Sequence, residues 1–127
     1  MKIIHQQKAK RILKPERINV TYYLFKEYEI HYDEQLPGSV QSWHYHKIIT
    51  ETIFIIEGEL TAKWKEDGVI KEEIVKSGDL VQTENTPHTF INHTDVITKF
   101  LVIKIILKRR NYTKIFKSDK FIYQPNA

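Results

Sequence analysis

The sequence predicts an all-β fold, either a barrel or a sandwich. Apolar and polar residues alternate with a period of two in several stretches, and turn signals built on Gly, Pro, Asn and Asp separate these stretches. No segment shows a convincing long helical period, and there is no internal repeat or low-complexity linker. Short strands joined by closely spaced turns are typical of β-barrels and β-sandwiches.

Length and composition limit the possible functions. A chain of 127 residues is long enough for one hydrophobic core, and the absence of cysteine excludes disulfides, thiolate ligands and cysteine nucleophiles. The formal charge of +4 is mild, and the basic residues lack the aromatic interleaving of single-strand nucleic-acid surfaces. The start lacks the apolar run of a signal peptide, and no stretch approaches the roughly 18 apolar residues of a membrane span. We therefore expect a soluble, cytoplasmic protein that binds neither nucleic acid nor membrane.

The first strand signal follows a basic lead-in over residues 1–18. Asn19–Tyr32 alternates with a period of two, and it is long for one strand, so we expect a bend or a bulge midway. Asp33–Ser39 contains Pro37-Gly38 and is predicted to be a loop.

The next stretch places two histidines at strand spacing. Successive side chains of a strand point to opposite faces, so His44 and His46 share one face while Tyr45 turns away. Glu51 follows after four residues, which is enough to turn the chain into a neighbouring antiparallel strand. The two imidazoles and the carboxylate are therefore expected to converge.

The remaining elements continue the strand pattern. In Thr52–Ile56, Ile53 and Ile55 are expected to point inward with Glu51, and Asp67-Gly68 is a two-residue type I′ hairpin signal. His88, Phe90 and Asn92 alternate on one face of a later strand, and Val96–Leu107 is a strong strand region with apolar residues on both faces. Residues 108–127 include apolar positions such as Ile115 and Phe121, so we expect this segment to pack on the barrel or on a partner.

Two stretches of the sequence resemble the paired motifs of the cupin superfamily. The first motif orders a glycine, five residues, His-x-His, four residues, a glutamate, six residues and a glycine; the second ends with a histidine, three residues and an asparagine. The matching positions are Gly38, His44, His46, Glu51 and Gly58 in the first motif, and Gly78, His88 and Asn92 in the second. Where the family usually has proline and glycine before the second-motif histidine, the chain has Glu84 and Thr86, and Pro87 is expected to supply the rigidity.

The resemblance implies a single cupin double-stranded β-helix, a jelly-roll-like barrel, with its core over residues 19–107. It also implies a metal site formed by His44, His46, Glu51 and His88. Imidazole and carboxylate ligands suit divalent Fe, Mn, Zn or Ni and do not choose among them. The competing interpretation is a polar pocket without metal, as in metal-free cupin isomerases and epimerases. Asn92 is expected in a turn or behind the ligands, and the motif glycines are expected at turns.

Three functions remain open. The first is a metal-dependent enzyme acting on a small polar metabolite, by oxygenation with iron or by carbonyl isomerisation, decarboxylation or lyase chemistry with Mn, Zn or Ni. The second is a cupin that binds or senses a small molecule without turnover. The third is a metal-free isomerase or epimerase of nucleotide sugars, with His44 or His88 as general base. His5, His31 and His93 are interpreted as surface or hydrogen-bonded residues unless the fold turns them inward. The unranked candidates for further pocket residues are Tyr22, Tyr28, Glu29, His31 and Trp64.

Apolar residues on the outward faces predict a homodimer. Trp43 and Tyr45 point away from the histidine face, as do Phe54, Ile56 and one face of Phe100–Leu107. This much apolar outer surface predicts either a subunit interface or coverage by the terminal segments of the same chain.

Overall fold

Strands dominate the computed structural model of the chain, which describes residues 1–106, 116 and 118–125. In this part of the chain, a short 3₁₀ helix at Gln6–Lys8 precedes eleven strands. They are β1 (Lys10–Leu13), β2 (Ile18–Leu24), β3 (Tyr28–Gln35), β4 (His44–Tyr45), β5 (Thr50–Glu57), β6 (Glu59–Glu66), β7 (Val69–Lys76), β8 (Leu80–Gln82), β9 (His88–Ile91), β10 (Thr98–Ile105) and β11 (Phe121–Ile122).

Two antiparallel sheets face each other across the interior. One has six strands in the order β1-β2-β3-β10-β5-β8, and the other has five in the order β11-β4-β9-β6-β7. Because apolar side chains from the inner faces of both sheets meet between them, the interior is removed from water. The prediction of an all-β, jelly-roll-like fold is confirmed. The main core cluster consists of Ile53, Ile55, Leu60, Ala62, Phe90, Phe100 and Val102.

The first predicted strand is two strands. Asn19–Tyr32 divides into β2 and β3, which pair as a hairpin with Leu24 opposite Glu29. The turn is closed by a hydrogen bond of 3.1 Å from the N–H of Phe25 to the carbonyl of Tyr28, whose rings also stack at 4.6 Å. This turn contains no Gly, Pro, Asn or Asp, so its composition carries no turn signal.

Strand β3 also continues into the predicted loop Asp33–Ser39, as far as Gln35. It carries polar residues toward the interior, since His31, Asp33 and Gln35 are buried whereas Ile30 and Tyr32 are only partly buried. The amide of Gln35 donates to the backbone carbonyls of Ser39 and Phe90 at 3.1 and 3.0 Å. The inside of the barrel is therefore polar at this strand, in contrast to an ordinary apolar core.

Left-handed residues form the turns that the sequence marked. Asp67 and Gly68 have φ values of 52° and 75°, as the predicted type I′ hairpin between β6 and β7 requires. Gly58 joins β5 to β6 at φ 89°, and a Cβ there would lie 2.7 Å from Oγ1 of Thr98. Gly78 has a similar φ of 91° but no neighbouring atom within 4 Å.

The C-terminal segment packs against the five-stranded sheet. Strand β11 pairs with β4, and Tyr123 and Phe121 stack on Trp43 and Tyr45 with ring centroids 5.8 and 5.3 Å apart. These two outward aromatics are thus covered by the chain's own terminal segment, which was the alternative to a subunit interface at this place. The predictions for Leu107 and for Ile115 lie outside the described residues. No helix within the described ranges combines the length and apolar character needed to cross a membrane.

We predict that Gly58→Ala lowers the free energy of unfolding by about 2–5 kcal/mol. A left-handed alanine costs about 1–2 kcal/mol, and the contact with Thr98 adds an overpacking cost of about 1–3 kcal/mol. Gly78→Ala is the matched control, because it carries the same backbone strain without the contact. Urea unfolding of both variants is the measurement, and equal losses would contradict a close approach at Gly58.

Candidate metal centre

The predicted ligand histidines come together on the five-stranded sheet. His44 lies in β4 directly opposite His88 of β9, and their ring centroids are 4.5 Å apart. His46 follows β4 on the same face as His44, with 5.4 Å between ring centroids, while Tyr45 turns away. All three histidines are buried.

Glu51 reaches this cluster from the opposite sheet. The prediction that it begins a strand adjacent to the histidine strand is wrong, because β4 belongs to the five-stranded sheet and β5 to the six-stranded sheet. The loop 47–49 crosses between the sheets, so the carboxylate meets the imidazoles across the interior. Its Oε2 lies 3.1 Å from Nε2 of His46, and its Oε1 lies 3.4 Å from Nε2 of His88.

Each histidine is held by a backbone carbonyl through its other ring nitrogen. Nδ1 of His44 lies 2.7 Å from the carbonyl of Ser42, and Nδ1 of His88 lies 2.6 Å from that of Thr86. Nδ1 of His46 lies 2.5 Å from the carbonyl of Asp119. A carbonyl only accepts, so each Nδ1 carries the ring hydrogen and each neutral ring presents a bare Nε2.

The electrostatics keep this site in the charge state that a metal ion needs. Burial raises the pKa of Glu51, but the neighbouring imidazoles of His46 and His88 and the charge of Lys104 outweigh it and hold that pKa well below its usual range. Burial, and next the neighbouring His88, lower the pKa of His44 to about 3. Near neutral pH the site therefore contains a carboxylate and at least one neutral imidazole.

The donor arrangement fits a cation. A carboxylate oxygen and a bare Nε2 both accept hydrogen bonds, so their approach to 3.1 Å at His46 requires a positive species between them, either a second ring proton or a metal ion. Nε2 of His88 is buried and has no hydrogen-bond partner. Ligand atoms of His44, His46 and Glu51 lie within 4.8 Å of one another, so this cluster can hold a metal ion.

A residue that sequence reasoning missed fixes the loop between His46 and Glu51. The carboxylate of Asp119 accepts hydrogen bonds from the backbone N–H groups of Lys47, Ile48 and Ile49 at 3.1, 2.6 and 2.7 Å. The carbonyl of the same residue holds His46. Asp119 lies about 70 residues from these partners in an irregular segment, so no local pattern marks it.

The turn before His88 is made without the glycine usual in the second motif. Glu84 and Asn85 adopt left-handed conformations with φ values of 49° and 61°, and the N–H of Thr86 closes the turn on the carbonyl of Thr83 at 2.8 Å. Pro87, which is predicted to make this turn rigid, also contacts the sheet. Its carbonyl accepts a hydrogen bond from the N–H of Lys65 in β6 at 3.0 Å.

Two cavities border the cluster. The larger, of about 580 Å³, is bordered by His88 and also by Trp64 and Phe90. The smaller, of about 70 Å³, is bordered by His44 and Glu51. Three of the four predicted ligand residues thus line one or the other cavity, and His46 lines neither.

The smaller cavity contains ionisable residues that the sequence prediction left out or did not rank. Asp33 is only 7% exposed, its Oδ1 has no hydrogen-bond partner, and burial raises its pKa from 3.8 to about 7. Lys104 lies 3.8 Å from Oε2 of Glu51. Strand alternation marks both residues, because Asp33 lies on the same face of β3 as His31, and Lys104 lies on the same face of β10 as Val102.

The other candidates are distributed between interior and surface. His31 is buried, borders the smaller cavity and bonds to Glu29 at 2.9 Å, so it is hydrogen-bonded but not on the surface. Tyr22 packs edge-on against His31, whereas Tyr28 is exposed at the β2–β3 hairpin. Asn92 lies in a turn, where its amide donates to Gln35 and Val96 and its carbonyl accepts from Thr94. His5 and His93 are exposed.

Comparison with known proteins gives one family match. The model of the family described as Cupin domain matches residues 32–104, which is more than half of the chain. Among curated protein sequences, none matches this chain.

Solved structures of low sequence identity share the fold. A sugar phosphate isomerase from a cupin superfamily, from Silicibacter pomeroyi, is 19% identical with a TM-score of 0.67, over 82% of this chain and 75% of that chain. A variant of oxalate decarboxylase from Bacillus subtilis is 15% identical with a TM-score of 0.73, over 94% of this chain and 32% of that chain. The capsular polysaccharide assembling protein CapF from Staphylococcus aureus is 14% identical with a TM-score of 0.73, over 91% of this chain and 34% of that chain. The chain therefore spans about a third of the last two proteins.

We predict that Asp33→Asn changes the pH dependence of stability. Because folding raises the pKa of Asp33 to about 7, its contribution to stability is fully present below the unfolded value of 3.8 and is lost as the pH rises through about 7. The free energy of unfolding of the parent should therefore fall relative to the variant by about 2–3 kcal/mol between about pH 5 and pH 8. Urea unfolding of metal-free protein at both pH values measures this difference.

The control is Asp95→Asn, which removes an exposed carboxylate from a turn. Its unfolding curves should follow those of the parent at both pH values. A difference between Asp33→Asn and the parent that is the same at both pH values would contradict a protonated, buried Asp33.

Proposed function

Because the chain belongs to the cupin domain family, we propose that its barrel interior is a metal-dependent active site for a small polar metabolite. His44, His46, Glu51 and His88 hold a divalent Fe, Mn, Zn or Ni ion. The observation that carries the proposal is Nε2 of His46 facing the carboxylate of Glu51 at 3.1 Å, with a second buried Nε2, that of His88, beside it. The cytoplasmic location expected from the sequence stays a prediction.

The ligand charges leave the ion reactive. Three neutral imidazoles and one carboxylate offset one of the two charges of a divalent cation. A metal ion in this site supplies Lewis acidity toward a carbonyl or, as iron, reactivity toward dioxygen. The chain's own contribution is to fix the ligand nitrogens through Ser42, Thr86 and Asp119 and to exclude water with the apolar core.

Asp33 favours carbonyl chemistry over ligand binding without turnover. A carboxyl group whose pKa is about 7 can both give and take a proton near neutral pH, and it borders the same small cavity as Glu51. Isomerisation and decarboxylation both require such a proton transfer. Structural neighbours named as a sugar phosphate isomerase and an oxalate decarboxylase support an enzyme in preference to a sensor.

The predicted homodimer uses the outer face of the six-stranded sheet. Phe54 of β5 is 38% exposed and lies opposite Leu101 of β10 on one side and Leu80 of β8 on the other. Leu80 is 60% exposed and Ile56 is 42% exposed, so the face is apolar over neighbouring strands. We propose that a second copy of the chain covers this face, while Trp43 and Tyr45 remain covered by the C-terminal segment.

We predict that His46→Ala removes most of the bound metal without unfolding the barrel. The purified, tag-free parent, handled anaerobically, should carry close to one equivalent of metal. His46→Ala should carry much less, because losing one of four ligands weakens metal binding by orders of magnitude. Elemental analysis measures the content, and circular dichroism checks the fold. Iron would indicate oxygen chemistry, and Zn, Mn or Ni would indicate carbonyl chemistry.

His93→Ala is the matched control, since this histidine is exposed and lies outside the cluster. It should keep the metal content of the parent. Equal metal content in His46→Ala and the parent would refute the assignment of this site.

We predict that Phe54→Lys shifts the protein toward a monomer of 15.2 kDa. A lysine in the middle of an apolar interface must lose its hydration when the interface forms, which weakens association by several kcal/mol. Val69→Lys is the control, because Val69 is also exposed but lies on β7 of the other sheet. Sedimentation velocity distinguishes the species, and an unchanged profile for Phe54→Lys would exclude this face.

A further inference from the structure

The smaller cavity, called here the lysine chamber, gathers positive charge beside the proposed metal site. Three lysines border it from three separate parts of the chain: Lys14 between β1 and β2, Lys104 in β10, and Lys120 immediately before β11. Gln41 and the apolar side chains of Ile18, Ile53, Phe100 and Val102 also line it. The other ionisable residues on its wall are Glu16, His31, Asp33, His44 and Glu51.

The lysines are close enough to repel one another. Burial of its ammonium group lowers the pKa of Lys120, and the charges of Lys14 and Lys104 lower it further, whereas Glu16 acts in the opposite direction. Like charges held around one small space are unfavourable unless an anion compensates them. A set of cations that the fold brings together from distant segments therefore suits a negatively charged ligand.

The carboxylates of the chamber do not compensate all three lysines. Glu51 lies 3.8 Å from Lys104, and the charge of Glu16 favours the charged form of Lys120, so two carboxylates face three lysines. Asp33 is the remaining carboxyl group, and because its pKa is about 7 it spends much of its time protonated at neutral pH.

Asp33 adds a free polar group to the chamber. Its Oδ1 is buried without a hydrogen-bond partner. A buried carboxyl oxygen without a partner is costly, and a ligand that bonds to it removes that cost. In its protonated form the carboxyl group can donate a hydrogen bond to an oxyanion, and the lysine ammonium groups can donate others.

We propose that the lysine chamber binds the anionic group of the substrate, a carboxylate or phosphate, next to the metal ion. This inference rests on the proposed function and adds the substrate class, a small oxyanion-bearing metabolite. A volume of about 70 Å³ has space for only a few water-sized groups, so it fits one such group and not a whole sugar.

The test measures binding of two probes, malonate and inorganic phosphate, by isothermal titration calorimetry at low ionic strength. We expect the parent to bind at least one of them, and Lys14→Met and Lys120→Met each to raise its Kd at least fivefold. Lys76→Met is the matched control, because it removes one lysine charge from β7, away from the chamber, and its Kd should stay within twofold of the parent. The probe that binds more tightly identifies the oxyanion as carboxylate or phosphate.

Metal content measured on the same samples separates this inference from the proposed function. If His46→Ala loses its metal but still binds the probe, and the two chamber variants do not, the chamber is an anion site in its own right. If the parent carries no metal yet shows the same lysine-dependent binding, the proposed function fails and the anion site stands. Absence of probe binding to the parent, or equal losses in Lys14→Met and Lys76→Met, would overturn the inference.

Discussion

The buried carboxylate of Glu51 faces imidazole nitrogens that have already committed their hydrogens to backbone carbonyls. This contact joins the two sheets, because the histidines belong to the five-stranded sheet and Glu51 to the six-stranded sheet. Removing an ionised carboxylate from water costs several kcal/mol unless opposite charge compensates it. Lys104 at 3.8 Å supplies part of that compensation, and a metal ion between the sheets would supply the rest. A metal ion bound there would also help to hold the two sheets together.

The interior therefore differs on its two sides. Apolar residues such as Ile55, Leu60 and Phe90 fill one part at close to zero exposure and supply the hydrophobic stabilisation. On the other side, the side chains of His31 and Asp33 in β3 point inward. That part of the interior therefore contains buried polar groups in addition to apolar ones. Burying these polar groups lowers the stability of the fold relative to an apolar core, and such a loss of stability is common at functional sites.

Much of this arrangement follows from local sequence patterns. The shared face of His44 and His46 and the Asp67-Gly68 hairpin are read correctly because strand alternation and turn chemistry act over a few residues. The β2–β3 hairpin is not predicted, because its turn lacks the usual turn residues. Ring stacking and one backbone hydrogen bond between Phe25 and Tyr28 close it instead. The sheet to which Glu51 belongs is also set by tertiary contacts, since a four-residue connection can join strands of one sheet or cross between two.

Asp33 and Lys104 show what a closer reading of alternation would have found, since each shares its strand face with residues that point inward. Asp119 shows what no local reading finds. Its role depends on three backbone N–H groups about 70 residues away, and backbone groups leave no trace in a sequence.

The same distance along the chain sets the order in which the site can assemble. A segment about 70 residues farther along the chain both holds His46 and fixes the loop that leads to Glu51, so the site combines two parts of the chain that are distant in sequence. Such a long-range closure is entropically demanding and forms after the local hairpins. During synthesis, the histidines and the glutamate leave the ribosome well before Asp119 does, and the nascent barrel therefore has its ligands before it has the geometry to use them.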